Sequence, residues 1–278
     1  MPVSEAVREG VIDIARQAAA AILDVYGGVF EVECKDDASP VTAADMAAHH
    51  VIVDGLRALT PDIPVLSEEC ADAVAVAERL SWRRMWLVDP LDGTREFVKR
   101  NGEFSVNIAL IDDGVATFGV IQQPVTGALW FGAPGRGAWM REGTSERPLR
   151  TGRTTPGRPL RVAASRSHRD ARTGALMERL GVIDPVALGS SLKFCWLAEG
   201  RLDVYPRFGP TSEWDTAAGQ AILEGAGGLL VDPRGRPFRY NQRQTLLNGA
   251  FIALGDPSLP WRDWITAANA GGQGESSP

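Results

Sequence analysis

The sequence predicts a mixed α+β or layered α/β fold in two halves. An early helical pattern is followed by a run of strands over residues 104–140, and helices and strands then alternate from residue 161 onward. Close strands separated by Gly, Asp and Pro turns are typical of an antiparallel meander, whereas alternation indicates helices layered on a sheet. We place the halves at residues 1–150 and 151–269, followed by a disordered tail at 270–278.

Apolar periodicity defines the elements of the first half. Val7, Val11 and Ile14 recur at steps of four and three, which predicts a helix over residues 4–26. A second helix is predicted over residues 42–59, and the polar residues 141–158 are expected to form an exposed connection. The predicted strands of this half are residues 63–66, 85–88, 104–111, 115–123, 128–131 and 138–140.

In the second half, glycines mark where predicted helices end, for example Gly200 and the pair Gly227-Gly228. The predicted strands are residues 161–164, 186–188, 202–205, 229–231 and 251–254. The predicted helices are residues 169–180, 190–199, 215–224 and 261–268.

Composition excludes several classes of protein. The 278 residues are 44% hydrophobic and 23% charged, as in an ordinary globular protein. The net charge of −6 argues against non-specific nucleic-acid binding, which needs many cations. Cys34, Cys70 and Cys195 lack the spacing of a zinc site or a disulfide framework. Because neither a signal-peptide pattern nor a bilayer-spanning apolar run is found, we expect a soluble cytoplasmic protein.

The main chemical motif is Asp89-Pro-Leu-Asp-Gly-Thr94, directly after a predicted buried strand. Asp89, Asp92 and the carbonyl of Leu91 can face one small volume, and Mg²⁺ prefers such oxygen ligands. Gly93 lets the backbone approach an anion closely, and amides at the start of a following helix suit phosphate. For the motif alone, a β-turn with Asp chosen for turn chemistry is the favoured alternative.

Three further acidic positions accompany the motif. Glu68 and Glu69 end another predicted strand, Asp215 opens a helix of small residues, and Asp45 lies early in a helix. Each has a structural alternative: a solvated loop for the glutamates, a helix N-cap for Asp215, and a capping box for Asp45 with Thr42.

Together these segments resemble the inositol monophosphatase superfamily, over roughly residues 5–255. The superfamily motifs are Ser67-Glu-Glu69, Trp86-Leu-Val-Asp-Pro-Leu-Asp-Gly-Thr94 and Trp214-Asp-Thr-Ala-Ala-Gly219. Residues 92–111, Ser165-Arg-Ser-His168, Gly189-Ser-Ser-Leu-Lys-Phe-Cys195 and Tyr205-Pro-Arg-Phe-Gly-Pro210 resemble its 3'(2'),5'-bisphosphate nucleotidase branch. The resemblance implies a layered α/β/α/β/α sandwich of the inositol monophosphatase–fructose bisphosphatase type, with a mixed, largely antiparallel sheet and a smaller second sheet.

The resemblance also implies a magnesium centre of two or three ions per active site. Glu68, Asp89 and the Leu91 carbonyl would hold one ion, and Asp89, Asp92 and Asp215 another, with Asp89 bridging the two. This agrees with the chemistry of the residues, because packed carboxylates repel one another unless divalent cations neutralise them.

Further roles follow from the same resemblance. Thr94 would orient the attacking water and donate a hydrogen bond to Asp45, and the amides of Gly93 and Thr94 would hold the phosphate. Contacts to a nucleotide are implied at His168, Ser190, Lys193 and Arg207. From the residues alone, the alternatives are a helix cap for His168, a surface lysine for Lys193 and a solvated arginine for Arg207.

We therefore expect a Mg²⁺-dependent, lithium-sensitive phosphatase that removes the 3'-phosphate of adenosine 3',5'-bisphosphate. The sulfated nucleotide PAPS is a further expected substrate, and the role would be to clear a by-product of sulfate assimilation. The alternatives are an inositol-phosphate, fructose-bisphosphate or histidinol-phosphate phosphatase and, in a different class, a non-catalytic nucleotide or metal sensor. A monomer and a homodimer remain open, as does peripheral contact with the cytoplasmic face of the membrane, although no basic amphipathic helix requires it.

Overall fold

The computed structural model of the chain describes residues 3–28, 40–155, 157–164 and 171–264. In these ranges, sheets of seven and five strands are surrounded by helices. The predicted architecture, a larger and mostly antiparallel sheet with a smaller second one, is therefore confirmed. None of the described helices is both long and apolar enough to cross a membrane.

The larger sheet follows chain order from its first strand to its seventh. Its strands are β1 (Val65–Ser67), β2 (Arg84–Asp92), β3 (Ser105–Asp112), β4 (Val115–Gln122), β5 (Leu129–Ala133), β6 (Gly137–Glu142) and β7 (Ser145–Leu149). All neighbouring pairs are antiparallel except β1 and β2, which run parallel with Ser67 opposite Val88. Because of this register, Glu68 and Asp89 follow side by side at the same edge of the sheet.

Two long helices, α1 (Glu5–Tyr26) and α2 (Pro40–Leu59), pack on one face of this sheet and share its apolar core. Ser4 caps α1, since its hydroxyl accepts a hydrogen bond from the amide of Val7. The two helices lie close together at Gly55, where a Cβ atom would lie only 2.7 Å from Ile14 Cγ1. This packing positions the N-terminal part of α2, and with it Asp45, above the edge where β1 and β2 end.

The smaller sheet has the order β11-β12-β10-β8-β9. These strands are β8 (Leu160–Ala164), β9 (Ile183–Ala187), β10 (Val204–Arg207), β11 (Leu229–Val231) and β12 (Phe251–Leu254). The helices of this half are α5 (Ala171–Arg179), α6 (Leu192–Ala198) and α7 (Trp214–Gly225), and α7 is in contact with strands of both sheets. One apolar core therefore contains residues from both halves of the chain. The division after residue 150 stays a prediction.

Sequence patterns missed the short helices and the sheet edges. A 3₁₀ helix at Glu68–Ala73 and the helices α3 (Val76–Ser81) and α4 (Thr94–Val98) are too short to show a period. The strand β7 lies inside the predicted connection, and β9 begins earlier than predicted. Both are edge strands with mostly exposed side chains, so neither needs the apolar pattern that identifies a buried strand.

Several boundaries also differ from the predictions. The helix α2 begins at Pro40, so Thr42 lies inside it and the capping-box alternative for Asp45 is wrong. The strand β2 continues through Pro90 to Asp92, with a shift in pairing register between Asp89 and Asp92. The predicted last helix is seen over residues 261–264, and its remainder and the tail lie outside the described residues.

Candidate active site

The centre of the candidate site is the irregular end of β2. Asp89 is only 2% exposed, and its Oδ1 accepts a hydrogen bond from the amide of Leu91 at 3.0 Å. The pairing shift that follows places Asp92 opposite Ser105 and Asp89 opposite Asn107 on β3. The Asp89 carboxyl thus closes a local turn, as the turn alternative requires, while it stays in the interior among other acidic groups.

Mutual repulsion shows that these acidic groups are neighbours. The pKa of Asp89 is raised well above its usual value, first by burial and then by the charges of Asp92, Glu68, Asp215 and Asp45. Burial and the charge of Asp92 likewise raise the pKa of Asp215 to about 8. Carboxyl groups from β2, α2, α7 and the 3₁₀ helix therefore share one electrostatic environment.

Glu68 and Asp45 lie at the outer side of this group. Desolvation and the charges of Asp92 and Glu69 raise the pKa of Glu68 to about 7, although the residue as a whole is exposed. Desolvation and the charges of Glu69 and Glu68 raise the pKa of Asp45 to about 8. Glu68 and Glu69 are exposed, as the solvated alternative requires, but Glu68 also lies within electrostatic reach of Asp92 and Glu69.

The donor set fits a hard divalent cation. No lysine or arginine of the described ranges forms an ion pair with Asp45, Glu68, Asp89, Asp92 or Asp215. Asp45 Oδ1 is buried and receives no hydrogen bond from the residues that the structure describes. Among the described residues, no three His, Cys, Asp or Glu side chains lie close enough together to coordinate one metal ion. The carboxyl groups are therefore neighbours without a complete coordination sphere. Oxygen donors with surplus negative charge are what Mg²⁺ binds.

A network of small polar side chains holds Asp92. Its Oδ2 accepts hydrogen bonds from the backbone amide and the hydroxyl of Ser191, and it lies 3.4 Å from Asn107 Nδ2. The Ser191 hydroxyl also lies 2.7 Å from the carbonyl oxygen of Asp215. Asn107 in turn accepts from Ser105 and donates to Ser191. This network joins the two halves of the chain at the site.

A cavity of about 300 Å³ opens beside this network. Seven of the residues singled out in the sequence line it: Asp92, Gly93, Thr94, Ser190, Lys193, Arg207 and Asp215. Glu68, Asp89 and Asp45 are not among its lining residues. The lining therefore combines three acidic residues, Asp92, Glu96 and Asp215, with three basic ones, Arg95, Lys193 and Arg207.

Lys193 is a buried cation and not a surface lysine. It is 6% exposed, its Nζ donates to the carbonyl of Ser190 at 2.8 Å, and it lies 5.3 Å from the centre of the Tyr205 ring. Burial lowers its pKa to about 8, although the charge of Asp92 acts in the opposite direction. The surface-lysine alternative is therefore wrong.

Arg207 lies at the end of β10 and is half-buried. Its Nη2 donates to the carbonyl of Pro210 at 3.1 Å, while Nε is buried and has no hydrogen-bond partner among the described residues. A fully solvated arginine does not fit this environment. Arg207 also lines the cavity, so its guanidinium group can contribute charge there.

Gly93 has φ 98°, and a Cβ atom there would lie 3.2 Å from both Glu103 O and Ser190 Cβ. Only glycine suits this turn. Thr94 is exposed at the start of α4, and in the described part of the chain no hydrogen bond joins it to Asp45; that pairing stays a prediction. His168 lies outside the described residues.

Residues 4–256 match a protein-family model described as the inositol monophosphatase family. The chain belongs to the inositol monophosphatase family. Among relatives, it is 50% identical to the 3'(2'),5'-bisphosphate nucleotidase CysQ of Escherichia coli K12, over 87% of this chain and 96% of the relative. It is 35% identical to the protein of the same name in Haemophilus influenzae, over 91% of this chain and 94% of the relative.

Solved structures of the inositol monophosphatase family share the fold. The structure of CysQ from Bacteroides thetaiotaomicron has a TM-score of 0.80 and 39% identity, over 88% of this chain and 96% of that one. An inositol monophosphatase from Zymomonas mobilis has a TM-score of 0.77 and 26% identity, over 94% and 96%.

Within this candidate site, sequence reasoning missed Ser191, Asn107 and Ser105. A signal for two of them was present. Ser105 and Asn107 are polar residues two positions apart in an otherwise apolar strand, and both are fully buried. Buried polar side chains on one face of a strand need partners, which indicates a polar network. The sequence has no comparable signal for Ser191, because nothing distinguishes it from the adjacent Ser190.

Proposed function

We propose that this member of the inositol monophosphatase family is a Mg²⁺-dependent phosphatase that removes the 3'-phosphate of adenosine 3',5'-bisphosphate, with AMP and phosphate as products. One observation carries the proposal. A single cavity is lined by the carboxylates Asp92 and Asp215 together with the cations Lys193 and Arg207. The names of the relatives at 50% and 35% identity support a nucleoside bisphosphate as substrate.

The proposed magnesium centre uses the oxygen donors described above. Glu68, Asp89, the Leu91 carbonyl, Asp92 and Asp215 would hold two or three ions. Bound there, Mg²⁺ would activate water for attack on phosphorus and stabilise the charge that develops on the leaving oxygen. The surplus negative charge supports a cationic occupant of this region, as does the buried oxygen of Asp45 that has no partner in the described ranges.

The remaining residues of the chain bind and orient the reactants. In the proposal, Thr94 accepts a hydrogen bond from the attacking water and donates one through its own hydroxyl to Asp45, whose Oδ1 has no donor among the described residues. The backbone amides of Gly93 and Thr94 hold the scissile phosphate. Ser191 keeps Asp92 oriented, because two hydrogen bonds fix a single carboxylate oxygen.

A second phosphate on the substrate would account for the two cations Lys193 and Arg207 in the cavity. Lys193 and Arg207 would bind it by charge-assisted hydrogen bonds, with Ser190 and His168 as further nucleotide contacts. A monoester such as inositol 1-phosphate has no second anion, so it would leave two cations in the cavity without a partner. The resulting loss of affinity would favour the bisphosphate.

Phosphate release tests this function. With Mg²⁺ present, we expect kcat/KM for adenosine 3',5'-bisphosphate to exceed that for inositol 1-phosphate by at least about 100-fold, as unpaired polar groups in a site discriminate strongly. Fructose 1,6-bisphosphate separates nucleotide recognition from recognition of two phosphates, and PAPS and the 2',5'-isomer define the range of nucleotides. Li⁺ and Ca²⁺ should inhibit.

Preference for a sugar or inositol phosphate would contradict the proposed substrate but keep the phosphatase chemistry. Absence of turnover with every ester would contradict the phosphatase itself. Nucleotide binding under those conditions would then identify a sensor.

A further inference from the structure

A second, larger depression lies in the loop between β11 and β12. Its lining residues come from 232–239, 242–243 and 249–250, and its volume is about 1120 Å³. It shares no lining residue with the cavity of the candidate active site. Four arginines line it, and we call it the arginine pocket: Arg234, Arg236, Arg239 and Arg243.

Two of these arginines are held in place by carboxylates. Arg236 pairs with Asp232, with Nε and Nη2 both 2.7 Å from Oδ2. Arg243 Nη2 donates to Glu213 Oε1 at 3.0 Å, and Glu213 is fully buried. Arg243 Nε is itself buried and has no hydrogen-bond partner among the described residues. Each guanidinium carries five N–H donors, so both keep donors for a ligand while their position is fixed.

The other two arginines are not held by a carboxylate of the described residues, although the charge of Arg239 acts on Glu224. Within the described ranges, neither Arg234 nor Arg239 forms an ion pair, and both are exposed. With Asp232, Glu213 and Glu224 as the anions near these four arginines, the pocket keeps a positive charge in excess, on a chain whose net charge is −6. A local excess of positive charge of this kind attracts an anion.

The loop that forms the pocket is anchored, although it has little regular structure. Asp232 Oδ1 accepts hydrogen bonds from the amides of Arg234 and Arg236. The amide of Tyr240 donates to Gly114 O at 3.0 Å, and the amide of Asn241 donates to Glu213 Oε2 at 2.6 Å. The arginines therefore project from a backbone that several bonds hold in place.

We propose that the arginine pocket binds a small polyanion that carries two or more phosphate or sulfate groups, separately from the catalytic cavity. Planar guanidinium groups bind such groups in a bidentate manner. The two paired arginines would supply oriented donors, and Arg234 and Arg239 would supply the neutralising charge. Since the pocket lies apart from the acidic group of Asp89 and Asp92, binding requires no divalent cation.

Calorimetric titration of the full chain with pyrophosphate in EDTA tests this proposal. The double variant Arg234→Gln/Arg239→Gln should weaken the binding by at least about tenfold, because two charge-assisted contacts are lost. The control is Arg57→Gln/Arg136→Gln, which makes the same change of net charge at two exposed arginines outside both cavities. The variant Arg207→Gln removes a cation of the catalytic cavity and should leave the binding in the arginine pocket intact.

Unchanged pyrophosphate affinity in Arg234→Gln/Arg239→Gln would overturn the proposal. An equal loss in the control pair, or a loss in Arg207→Gln alone, would also overturn it, since either would assign the binding elsewhere. Binding of an oligonucleotide, but not of pyrophosphate, through these arginines would contradict a small ligand. Unchanged basal phosphate release and near-ultraviolet circular dichroism would show that the double variant is folded.

Discussion

Ser191 contacts one oxygen of Asp92 through two of its own atoms, the backbone nitrogen at 2.6 Å and the hydroxyl at 2.5 Å. The same hydroxyl lies 2.7 Å from the carbonyl oxygen of Asp215. A hydroxyl has one proton, so it donates to one of these oxygens at a time. A serine before α6 thus connects two proposed metal ligands that come from β2 and α7.

Replacement of this hydroxyl should weaken metal binding. In Ser191→Ala the amide still donates to Asp92, but the hydroxyl contact is lost. We expect kcat/KM to fall about 10–100-fold, as is usual when a partner of a metal ligand is removed. A Mg²⁺ titration followed by thermal unfolding should show weaker binding in the same variant. Ser258→Ala is the control, because its hydroxyl also bonds a carboxylate, Asp256, outside the cavity. Equal kinetics in wild type and Ser191→Ala would contradict the role.

Asp89 is the proposed bridging ligand, and its loss should be the most severe. In Asp89→Asn we expect turnover to fall by at least about 1,000-fold, because the proposed centre loses the charge that binds both ions. The side chain keeps its shape, so the fold should persist by circular dichroism. Asp113→Asn, an exposed aspartate paired with Arg83, is the control. Substantial Mg²⁺-dependent turnover in Asp89→Asn would refute the bridging role.

The stability of the metal-free protein should fall as pH rises. The folded-state pKa values of Glu68, Asp45 and Asp215 are raised to about 7, 8 and 8. Between pH 4 and 8 the folded state then binds more protons than the unfolded state, so the free energy of unfolding decreases with pH. Thermal unfolding in EDTA across this range measures the slope. Mg²⁺ should flatten the slope, and Asp215→Asn should reduce it; a slope of the opposite sign would contradict the carboxylate cluster.

Substrate affinity should depend on the proton of Lys193. Its pKa is lowered to about 8, so the cation is present at neutral pH and is lost as pH rises through 8. We expect KM for adenosine 3',5'-bisphosphate to rise above pH 8 while kcat changes little. Lys193→Gln should raise KM about 10–100-fold at pH 7 and remove this pH dependence, since a charged hydrogen-bonding partner is lost. Lys99→Gln, at an exposed lysine, is the control. An unchanged pH profile in Lys193→Gln would assign the titration to another group.

The contact between α1 and β6 should stabilise the fold at neutral pH. Glu9 accepts hydrogen bonds from Arg141 and Arg8, and the first of these contacts is the main cause that lowers its pKa to about 2. Because the pKa of Glu9 is lower in the folded state, its carboxylate stabilises the fold at pH values above 4.5, the pKa in the unfolded chain. This contribution to the free energy of unfolding is lost as the pH falls toward 2.

Because Glu9 is partly exposed, Glu9→Gln should cost only about 0.5–1 kcal/mol at pH 7. Urea unfolding at pH 7 and at pH 2 measures the difference, which should shrink at the lower pH. Glu5→Gln, at a more exposed partner of Arg8, should have a smaller effect. A penalty for Glu9→Gln that is the same at both pH values would contradict an ionic contribution.

Local patterns predicted the elements whose residues are buried. The apolar runs of the central strands and the period of α1 are visible in the chain because burial demands them. The acidic motif from Asp89 to Asp92 is equally local, since one turn brings its oxygens together. Edge strands such as Ser145–Leu149 do not need a buried apolar face, so their polar residues show no strand pattern.

The sequence alone determined the type of chemistry, because carboxylates and a glycine turn at short spacing limit what a site can bind. Which distant residues meet was decided only by the tertiary structure. Ser191 reaches Asp92 because α6 packs between the sheets, and Arg243 reaches Glu213 because the loop after β11 folds back onto the start of α7. Such contacts have no local pattern: the free energy that forms them comes from the packing of the whole chain.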